Sequence, residues 1–463
     1  MVSVIVQQPL IEPKSPPPAQ GLRFSVETMG CKVNSFESEL ISEKFLRNRM
    51  QRVTDDARAD LCVINTCTVT AEADRQARQQ VRRAIKSNPG AWIVVTGCYA
   101  QMDPGACAEI PGVDLVVGNN RKLDIPNLVD ELFKHRLPQV IVGDMDRDIS
   151  LPSDLVSGFD GRSRAFVQIQ QGCDQGCTFC IIHTARGPNR SFAADAIQKQ
   201  VSHLIENGYR EIVLCGVDIG SYGCDADRSR SGTLPELVDG LASLPGDFRL
   251  RLSSIDPAHI SDELIAVLKN HRDTVCPQLH LSLQSGNTLI LKRMKRRATR
   301  PLIDERIAEL RRAVPDLVLS ADVLVGFPTE DESHFEDTLS AIYELEIAFP
   351  HVFAYSARNG TPAARIPRQV EKPVRKERAA RARKAGAEVW YRVAERLVGS
   401  QQKMLLERGG NSDQWVARGS NYFPASLIAP AGYKPLQNLN AGDWIQAEIT
   451  GFDKHRLIAR IVP

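Results

Sequence analysis

The sequence predicts a multidomain α/β protein, with an open parallel-sheet domain, a partial (βα)6 barrel and a small all-β barrel at the C-terminus. Three observations predict this order. Short apolar strands alternate with helical stretches from residue 22 to about 145, further strand–helix units begin at residue 164, and the residues after 400 return to closely spaced strands. Strands that alternate with helices pair in parallel, whereas strands joined by turns form antiparallel sheets and barrels.

The composition is that of an ordinary globular protein, with 43% hydrophobic and 25% charged residues among 463. No apolar run approaches the roughly 20 residues of a membrane-spanning helix, and the N-terminus lacks a signal peptide's apolar core. We therefore expect a cytoplasmic protein without a membrane partner. We also expect a monomer. Eleven cysteines in such a chain favour metal or redox chemistry over disulfides.

The first domain is expected over residues 21–148, after a proline-containing disordered leader at 1–20. Its strands are LRFSVETMGC, ADLCVINTC, WIVVTGCYA, VDLVVGN and QVIVG. The helical stretches between these strands predict a parallel sheet with helices on both faces. A Pro-, Gly- and Ser-containing stretch at 149–163 is typical of a linker.

The barrel domain is expected over residues 164–395, with a charged helical connector at its end. Its six strands are AFVQIQQGC, EIVLCGVDIG, FRLRLSS, QLHLSLQSG, LVLSADVLVGFP and PHVFAYS. Six such units form an open relative of the closed eight-stranded barrel. The last strands, KMLLERG, QWVARGSNYFPASL, DWIQAEITGFD and RLIARIV, predict a small β-barrel over 396–463.

Cys173, Cys177 and Cys180 form a C-x3-C-x2-C run with no fourth cysteine at a fitting distance. A four-iron cluster needs one thiolate per iron, so three thiolates leave one iron open for another ligand. This spacing is typical of the radical S-adenosylmethionine (SAM) enzymes, in which the open iron chelates the methionine moiety of SAM. The alternative is a structural zinc site that includes His183.

Cys31, Cys67 and Cys98 each stand at the C-terminal tip of a predicted strand. In an open parallel sheet these tips lie along one rim, where ligands bind. Three thiolates there are enough for a second four-iron cluster with one open iron. Helix-start signals follow Cys31 and Cys67, and a helix N-terminus favours a thiolate. The alternative is that the three are ordinary buried cysteines.

The strand tips of the barrel supply small and polar residues that could contact SAM. The predicted SAM-contacting residues are Gly216, Asp218, Ser254, Gln284, Asp322 and Gly326. Glycine allows close approach of the backbone, and Asp218 is an acceptor suited to an ammonium group. The alternative is that these are ordinary loop residues, since loops favour Gly, Ser and Asp.

Basic clusters and aromatic residues indicate a possible RNA partner. The basic clusters are Arg75 to Lys86 at helical spacing, KRMKRR at 292–297 and RKERAARARK at 375–384. Such patches suit a phosphate backbone, although a solvated helix face is the alternative. Trp415, Tyr422 and Phe423 in the last domain could stack on bases or fill a barrel core.

Over nearly its whole length after residue 21, the chain resembles the methylthiotransferases of the radical SAM superfamily. The matching segments, in order, are ETMGCKVNSFESE, INTCTVTAEADRQAR, VVTGCYAQ, QGCDQGCTFCIIHTARG, LHLSLQSGN, VGFPTED and HVFAYSARNGTPAA. The C-terminal barrel is similar to the RNA-binding TRAM domain that ends these enzymes. His183 is a departure, because the family usually has proline there.

The resemblance implies two [4Fe-4S] clusters and SAM as cofactors. The cluster on Cys173, Cys177 and Cys180 would cleave SAM reductively to a 5′-deoxyadenosyl radical, and the cluster on Cys31, Cys67 and Cys98 would carry the sulfur that a second SAM methylates. A low-potential electron donor and a sulfur source would be required. No side-chain acid or base is needed for the central step.

The resemblance also implies a substrate. GVDIGSYG and YSARNGTPAARIP look most like the branch that acts on N6-threonylcarbamoyladenosine next to the anticodon of tRNA, at C2 of the base. The other branches act on isopentenyladenosine in tRNA or on an aspartate of a ribosomal protein. A non-catalytic iron–sulfur or zinc RNA-binding protein is the alternative from another class.

Overall fold

The computed structural model describes residues 21–53, 58–135, 139–145, 154–225, 232–407, 415–428 and 439–462. The predicted leader at 1–20 and residues 149–153 of the predicted linker lie outside these ranges. The described residues form an open parallel-sheet domain, an open α/β barrel and a closed C-terminal β-barrel, which confirms the predicted fold class. None of the described helices combines the length and the apolar character required to cross a membrane.

The N-terminal domain is built around a six-stranded parallel sheet. Its elements are β1 (Arg23–Thr28), α1 (Lys32–Arg47), β2 (Gln51–Arg52), β3 (Leu61–Thr66), α2 (Ala71–Ser87), β4 (Trp92–Gly97), α3 (Cys98–Met102), α4 (Pro104–Ala108), β5 (Leu115–Val117), α5 (Ile125–His135) and β6 (Gln139–Ile141). The strand order is β2-β1-β3-β4-β5-β6. Every residue of β3 and β4 is buried, as expected for strands covered by helices on both faces.

Both helices that follow the first cysteines begin close to the sheet rim. Thr70 caps α2, because its hydroxyl accepts a hydrogen bond from the Ala73 N–H at 3.1 Å. Helix α1 begins at Lys32, earlier than the predicted start near Asn34. The Asn34 amide instead donates to the carbonyl oxygens of Met29 and Thr66 at 2.7 and 3.0 Å. This side chain therefore ties the first turn of α1 to the sheet.

The second domain is an open barrel of parallel strands with helices outside. Its elements are β7 (Ala165–Gln168), β8 (Gln170–Gln171), α6 (Ile182–Arg186), β9 (Arg190–Ser191), α7 (Ala194–Glu206), β10 (Glu211–Cys215), α8 (Leu234–Ala242), β11 (Arg249–Leu252), β12 (Ser254–Ile255), α9 (Asp262–Asn270), β13 (Gln278–Gln284), α10 (Thr288–Arg293), α11 (Arg300–Ala313), β14 (Val318–Val325), α12 (Glu332–Glu344), β15 (Ile347–Ala354) and α13 (Lys372–Leu397).

The wall of this barrel consists of two consecutive sheets, ordered β7-β10-β11 and β12-β13-β14-β15. Only Ser253 separates β11 from β12, so the chain bends there and joins the two sheets into one curved wall. The predicted strand–helix units correspond to β7, β10, β11 with β12, β13, β14 and β15. The carboxyl ends of all these strands lie at the same end of the barrel, which is where ligands bind in such folds.

The C-terminal domain is a closed barrel of β16 (Gln401–Glu407), β17 (Val416–Arg418), β18 (Pro424–Ile428), β19 (Trp444–Phe452) and β20 (Leu457–Ile461). The turn between β17 and β18 packs into the amino-terminal end of the large barrel. Phe423 is fully buried, with its ring 4.9 Å from Phe349 and 5.3 Å from Trp390. Of the two alternatives considered from the sequence, packing is therefore the correct one for Phe423, which joins the two domains.

A buried ion-pair network closes the same junction. Glu211 is fully buried and pairs with Arg249 at 2.6 Å and Arg251 at 2.7 Å. These two guanidinium groups also donate to carbonyl oxygens of Arg418 and Ser420 in the C-terminal domain, at 2.9 and 3.0 Å. A single carboxylate thus holds both arginines that dock the small barrel.

We expect Glu211→Gln to destabilise this junction by roughly 3–5 kcal/mol, because it leaves buried arginines without their counter-charge. Urea unfolding followed by tryptophan fluorescence measures the effect. Glu448→Gln is the control, since Glu448 pairs with Arg460 on an exposed surface and its loss should change the unfolding midpoint little. Equal midpoints for the two variants would contradict the structural importance of Glu211.

Candidate metal centres

The fold brings Cys31, Cys67 and Cys98 to one rim of the N-terminal sheet. Cys31 caps the start of α1, Cys67 follows β3 directly, and Cys98 begins α3 after β4. Strands β1, β3 and β4 are adjacent and parallel, so their carboxyl ends meet. Burial raises the pKa of the Cys67 thiol, and the neighbouring Cys98 and Cys31 sulfurs raise it further.

Gly30 allows the backbone before Cys31 to approach Cys67. Its φ is +92°, and a Cβ at this position would lie 2.7 Å from the Cys67 Cβ and 2.8 Å from its Sγ. Any side chain would therefore push directly against one of the three thiols. The backbone is strained for other residues as well, since a positive φ favours glycine.

We expect Gly30→Ala to lower the iron content by about four atoms per chain, which is one four-iron cluster, and to leave the second set of cysteines loaded. Iron analysis of the reconstituted protein measures this. Gly90→Ala is the matched control, because Gly90 has a similar φ of +85° but open space around it. An unchanged iron content in Gly30→Ala would show that the approach to Cys67 is unimportant.

Arg186 links this set of cysteines to the second domain. Only 1% of its side chain is exposed, and its Nε lies 3.1 Å from the Cys98 Sγ. The guanidinium also donates to Asn34 and Glu37 of α1. Burial alone would raise the pKa of Glu37, but Arg186 and Lys122 lower it to about 2. The carboxylate is thus fully ionised and anchors the arginine beside the sulfur.

The second set, Cys173, Cys177 and Cys180, lies in the loop between β8 and α6. Each sulfur accepts one N–H: from the Gln175 backbone at 3.4 Å, from the Arg296 guanidinium at 3.3 Å and from the Ile182 backbone at 3.4 Å, respectively. Hydrogen bonds to the sulfurs are a general means of stabilising ligating thiolates and tuning an iron–sulfur cluster. The donor set therefore fits a cluster at this loop.

The geometry favours a cluster over the zinc site considered from the sequence. Among the described residues, the group of His, Cys, Asp or Glu side chains spaced to hold a single ion is His280, Asp322 and His351. The cysteine loop and His183 do not converge in this way. Zinc needs its ligands about 2.3 Å from one ion, whereas the thiolates of a four-iron cluster bind separate irons.

Burial shapes the acidity of these thiols more than the neighbouring helices do. It raises the pKa of Cys67 to about 11, of Cys173 to about 12 and of Cys180 to about 11. At Cys67 burial therefore outweighs any lowering of the pKa by the neighbouring helix N-terminus. Buried cysteines of this kind become thiolates when a metal supplies the compensating positive charge.

Three of the predicted SAM-contacting residues have structural partners of their own. A Cβ on Gly216 would lie 2.8 Å from the Gln170 Oε1, and one on Gly326 would lie 2.2 Å from the Arg375 Cγ. Both glycines are thus required by protein packing. Asp218 lies 3.8 Å from the Cys173 Sγ but pairs with Arg297 at 2.8 Å, so its charge is already balanced.

The other three lie on the barrel wall. Gln284 ends β13 with a φ of +68°, an uncommon conformation that is typical of functional sites at strand tips. Ser254 is half-buried on β12, directly beside His280 of β13. Asp322 lies in the middle of β14 and contacts His280 and His351, which places it below the strand tips.

Sequence reasoning missed the arginines that surround the cysteine loop. Arg296 contacts the Cys177 sulfur and pairs with Asp256 at 2.7 Å. Arg297 pairs with Asp218. The basic run KRMKRR predicts an RNA-binding patch or a solvated helix face, but its last two residues, Arg296 and Arg297, form contacts inside the protein. Their position at the end of a basic run gave no local signal of this role.

Comparisons with known proteins agree with this arrangement. Residues 23–118 match the uncharacterized protein family UPF0004, and residues 167–342 match the radical SAM superfamily. The chain is 38% identical over 434 residues to threonylcarbamoyladenosine tRNA methylthiotransferase MtaB of Rickettsia prowazekii, which covers 94% of this chain and 96% of that protein. It is 31% identical over 399 residues to tRNA-2-methylthio-N(6)-dimethylallyladenosine synthase of Clostridium botulinum, covering 84% and 87%.

A solved structure is similar in fold. The radical S-adenosylmethionine methyltransferase TsrM from Kitasatospora setae, with cobalamin and a [4Fe-4S] cluster bound, has a TM-score of 0.56 at 12% sequence identity. The similarity covers 85% of this chain and 81% of that one. At this identity the likeness concerns the architecture alone.

Proposed function

Because the chain belongs to the radical SAM methylthiotransferase family, we propose that it inserts a methylthio group at C2 of N6-threonylcarbamoyladenosine, next to the anticodon of tRNA. The observation that carries the chemistry is the pairing of two three-cysteine sets, joined through Arg186, on facing domains. The choice of substrate is supported by sequence identity. The chain is 38% identical to a threonylcarbamoyladenosine enzyme along almost its whole length, against 31% for the dimethylallyladenosine enzyme.

The cofactors of such an enzyme are SAM and two [4Fe-4S] clusters. We assign one cluster to Cys173, Cys177 and Cys180 and the other to Cys31, Cys67 and Cys98. When bound, they supply the electron that cleaves SAM and the sulfur that is transferred. The chain's own residues hold the reactants between the two domains, and Arg296 and Arg186 donate to the sulfurs of Cys177 and Cys98.

The polar groups near the cysteine loop support the proposed SAM position. The Ser253 hydroxyl is buried and has no hydrogen-bond partner among the described atoms, at the bend of the barrel wall. An unpartnered buried hydroxyl is costly, so a ligand in the lumen is its natural partner. Ser254 and Gln284 lie on the same wall and remain our proposed SAM contacts, together with the backbone at Gly216 and Gly326 and the carboxylate of Asp218.

tRNA is the proposed macromolecular partner. The adenosine next to the anticodon is in a single-stranded loop, where a base can leave its stack and enter a pocket without melting a helix. The C-terminal barrel, which we interpret as a TRAM-like domain, would bind the RNA outside the active site. A low-potential electron donor and a sulfur source complete the proposed partners, and the cytoplasm is the proposed compartment.

Three other functions would use the same scaffold. Modification of isopentenyladenosine, or of an aspartate in a ribosomal protein, keeps the chemistry and changes the substrate. A non-catalytic RNA-binding protein would need neither SAM nor an open iron. Spectroscopy separates the last from the others, because the electron paramagnetic resonance signal of a catalytic cluster changes when SAM is added.

Mass spectrometry of tRNA nucleosides tests the proposal in cells. We expect a strain without this gene to lack the methylthio form of threonylcarbamoyladenosine, and wild type but not Cys177→Ala to restore it. Loss of the methylthio form of isopentenyladenosine instead would overturn the substrate and keep the chemistry. An unchanged nucleoside profile would contradict a role in tRNA modification.

A further inference from the structure

The lumen of the large barrel continues below the cysteine loop. On β13, the partly exposed His280, Ser282 and Gln284 alternate with buried leucines, so they line its inner face. On β15, Pro350 packs outward against Gly386 of α13, which turns His351 and its same-face neighbours inward. The lumen is therefore lined by polar groups at mid-depth, well inside the strand tips.

His280, Asp322 and His351 form one layer of this lining, which we call the middle layer. The Asp322 Oδ1 lies 3.1 Å from the His280 Nε2 and 3.6 Å from the His351 Nδ1. The Ser320 hydroxyl bonds the other nitrogen of His280 at 2.9 Å. Burial alone would raise the pKa of Asp322, but the two imidazoles hold it well below its usual range. An ionised carboxylate therefore orients both rings.

The middle layer lies close beneath the cysteine loop. Ser282 is the next inward position above His280, about 7 Å along the strand. Its carbonyl oxygen accepts from Arg296 at 2.8 Å, and the same guanidinium contacts Cys177. His351 is 53% exposed, and its Nε2 has no hydrogen-bond partner among the described residues. A substituent that reaches from the cysteine loop into the lumen would therefore contact the His351 imidazole.

Phe353 stands above His351 on the same face of β15 and is 38% exposed. An exposed aromatic side chain inside a lumen is suited to stack against a base. The wall of β15 thus offers an aromatic surface near the rim and a hydrogen-bonding imidazole below it. This order matches a nucleobase that carries a polar arm.

The floor of the lumen carries more positive than negative charge. Two carboxylates, the fully buried Glu211 and the partly buried Glu407, are shared by four arginines, which are Arg164, Arg249, Arg251 and Arg418. Burial would raise the pKa of Tyr422 at this floor, yet the nearby cations Arg164, Arg418, Lys32 and Arg251 lower it. Excess positive charge in a secluded cavity favours an anionic ligand.

We propose that the middle layer and the floor bind the threonylcarbamoyl arm of the substrate base, with His351 contacting its carboxylate. This inference rests on the function proposed above and adds the residues that select the substrate. It moves Asp322 from the predicted SAM contacts to a positioning role for His351 and His280. The isopentenyl arm is a hydrocarbon and would leave the imidazole and the excess charge without a partner, which disfavours it strongly.

Binding of anticodon stem–loops to the SAM-loaded holoenzyme tests the proposal. One RNA carries threonylcarbamoyladenosine, a second carries its carboxamide analogue, and a third carries isopentenyladenosine. We expect wild type to bind the carboxylate RNA roughly 10- to 100-fold more tightly than the carboxamide RNA, because a hydrogen bond to a charged group is lost. His351→Ala should bind the carboxylate and carboxamide RNAs with equal affinity. In turnover assays it should raise KM for the carboxylate RNA, and its iron content should stay that of wild type.

His271→Ala is the matched control, since His271 also pairs with an aspartate, Asp239 at 2.8 Å, but on the outside of the barrel. The His271→Ala variant should keep the wild-type preference for the carboxylate RNA over the carboxamide RNA. Equal affinity of wild type for the carboxylate and carboxamide RNAs would overturn the proposal whatever the variants do. A normal ratio and KM in His351→Ala would also overturn it while leaving the proposed function intact.

Two further results would overturn the proposal in different ways. Turnover of the isopentenyladenosine RNA alone would overturn the proposed function together with the assigned arm. Loss of one equivalent of bound zinc from His351→Ala, with an unchanged carboxylate preference, would make the middle layer a metal site and overturn its role in substrate selection.

Discussion

Cys177→Ala is expected to abolish 5′-deoxyadenosine formation and to remove about four iron atoms per chain, with the protein still folded. Cys177 lies in the three-cysteine loop, and its sulfur accepts a hydrogen bond from Arg296. In the wild type three thiolates hold the four irons, and the two that remain in Cys177→Ala are too few to retain the cluster. Iron analysis and chromatographic detection of 5′-deoxyadenosine measure the two effects.

The control for this variant is Cys224→Ala, because Cys224 is an exposed cysteine outside both sets. It should keep full iron content and full SAM cleavage. If Cys177→Ala still formed 5′-deoxyadenosine at the wild-type rate, the assignment of the SAM-binding cluster to this loop would be wrong. The same comparison with Cys67→Ala separates the two centres, since that variant should lose methylthio transfer and retain SAM cleavage.

Arg186→Leu is expected to destabilise the protein by roughly 3–5 kcal/mol, because it leaves the buried, ionised Glu37 with one fewer counter-charge. Glu37 keeps Lys122 at 2.7 Å, but the hydrogen bonds from Arg186 to Glu37, Asn34 and the Cys98 sulfur are lost. These contacts join the N-terminal domain to α6, the short helix that follows the cysteine loop of the second domain. Urea unfolding and iron content together measure the loss.

Arg75→Leu is the control for this effect, since Arg75 pairs with Glu72 on an exposed helix face. Its unfolding midpoint should remain that of wild type. A normal midpoint and normal iron content in Arg186→Leu would show that the two domains hold their cysteine sets independently, contrary to the structure.

The fold and the six cysteines are readable from the sequence because each leaves a local pattern. Apolar strands with intervening helices predict the parallel sheet, and a cysteine at each strand tip, as at Cys67 and Cys98, lies on the rim by topology alone. The C-x3-C-x2-C run needs no long-range information either. These features therefore emerge from spacing and periodicity.

The surroundings of the cysteines are not readable in this way. Arg186 and Cys98 are 88 residues apart in the chain, and Arg296 and Cys177 are 119 apart. Only the packing of two domains, or of distant strands, brings such pairs together. Gly216 and Gly326 show a related limit: the loop pattern predicts a SAM contact for both, whereas the close packing around each glycine appears only in the structure.

The middle layer was partly visible in the sequence. Asp322 is among the residues that the sequence predicts near the site, whereas no local pattern singles out His280 or His351. Its pairing with His280 and His351 depends on the register of three strands, which pairs Asp322 with His351 across β14 and β15. A shift of one residue in that register would turn one of these side chains outward.

Turnover by the reconstituted enzyme tests the central claim most directly. The assay combines the holoenzyme, SAM, a reductant and a stem–loop with threonylcarbamoyladenosine, and mass spectrometry detects the nucleoside products. We predict the methylthio nucleoside together with 5′-deoxyadenosine, and neither product with Cys177→Ala. Unmodified RNA in the presence of a fully loaded wild-type enzyme, with no 5′-deoxyadenosine formed, would contradict the account.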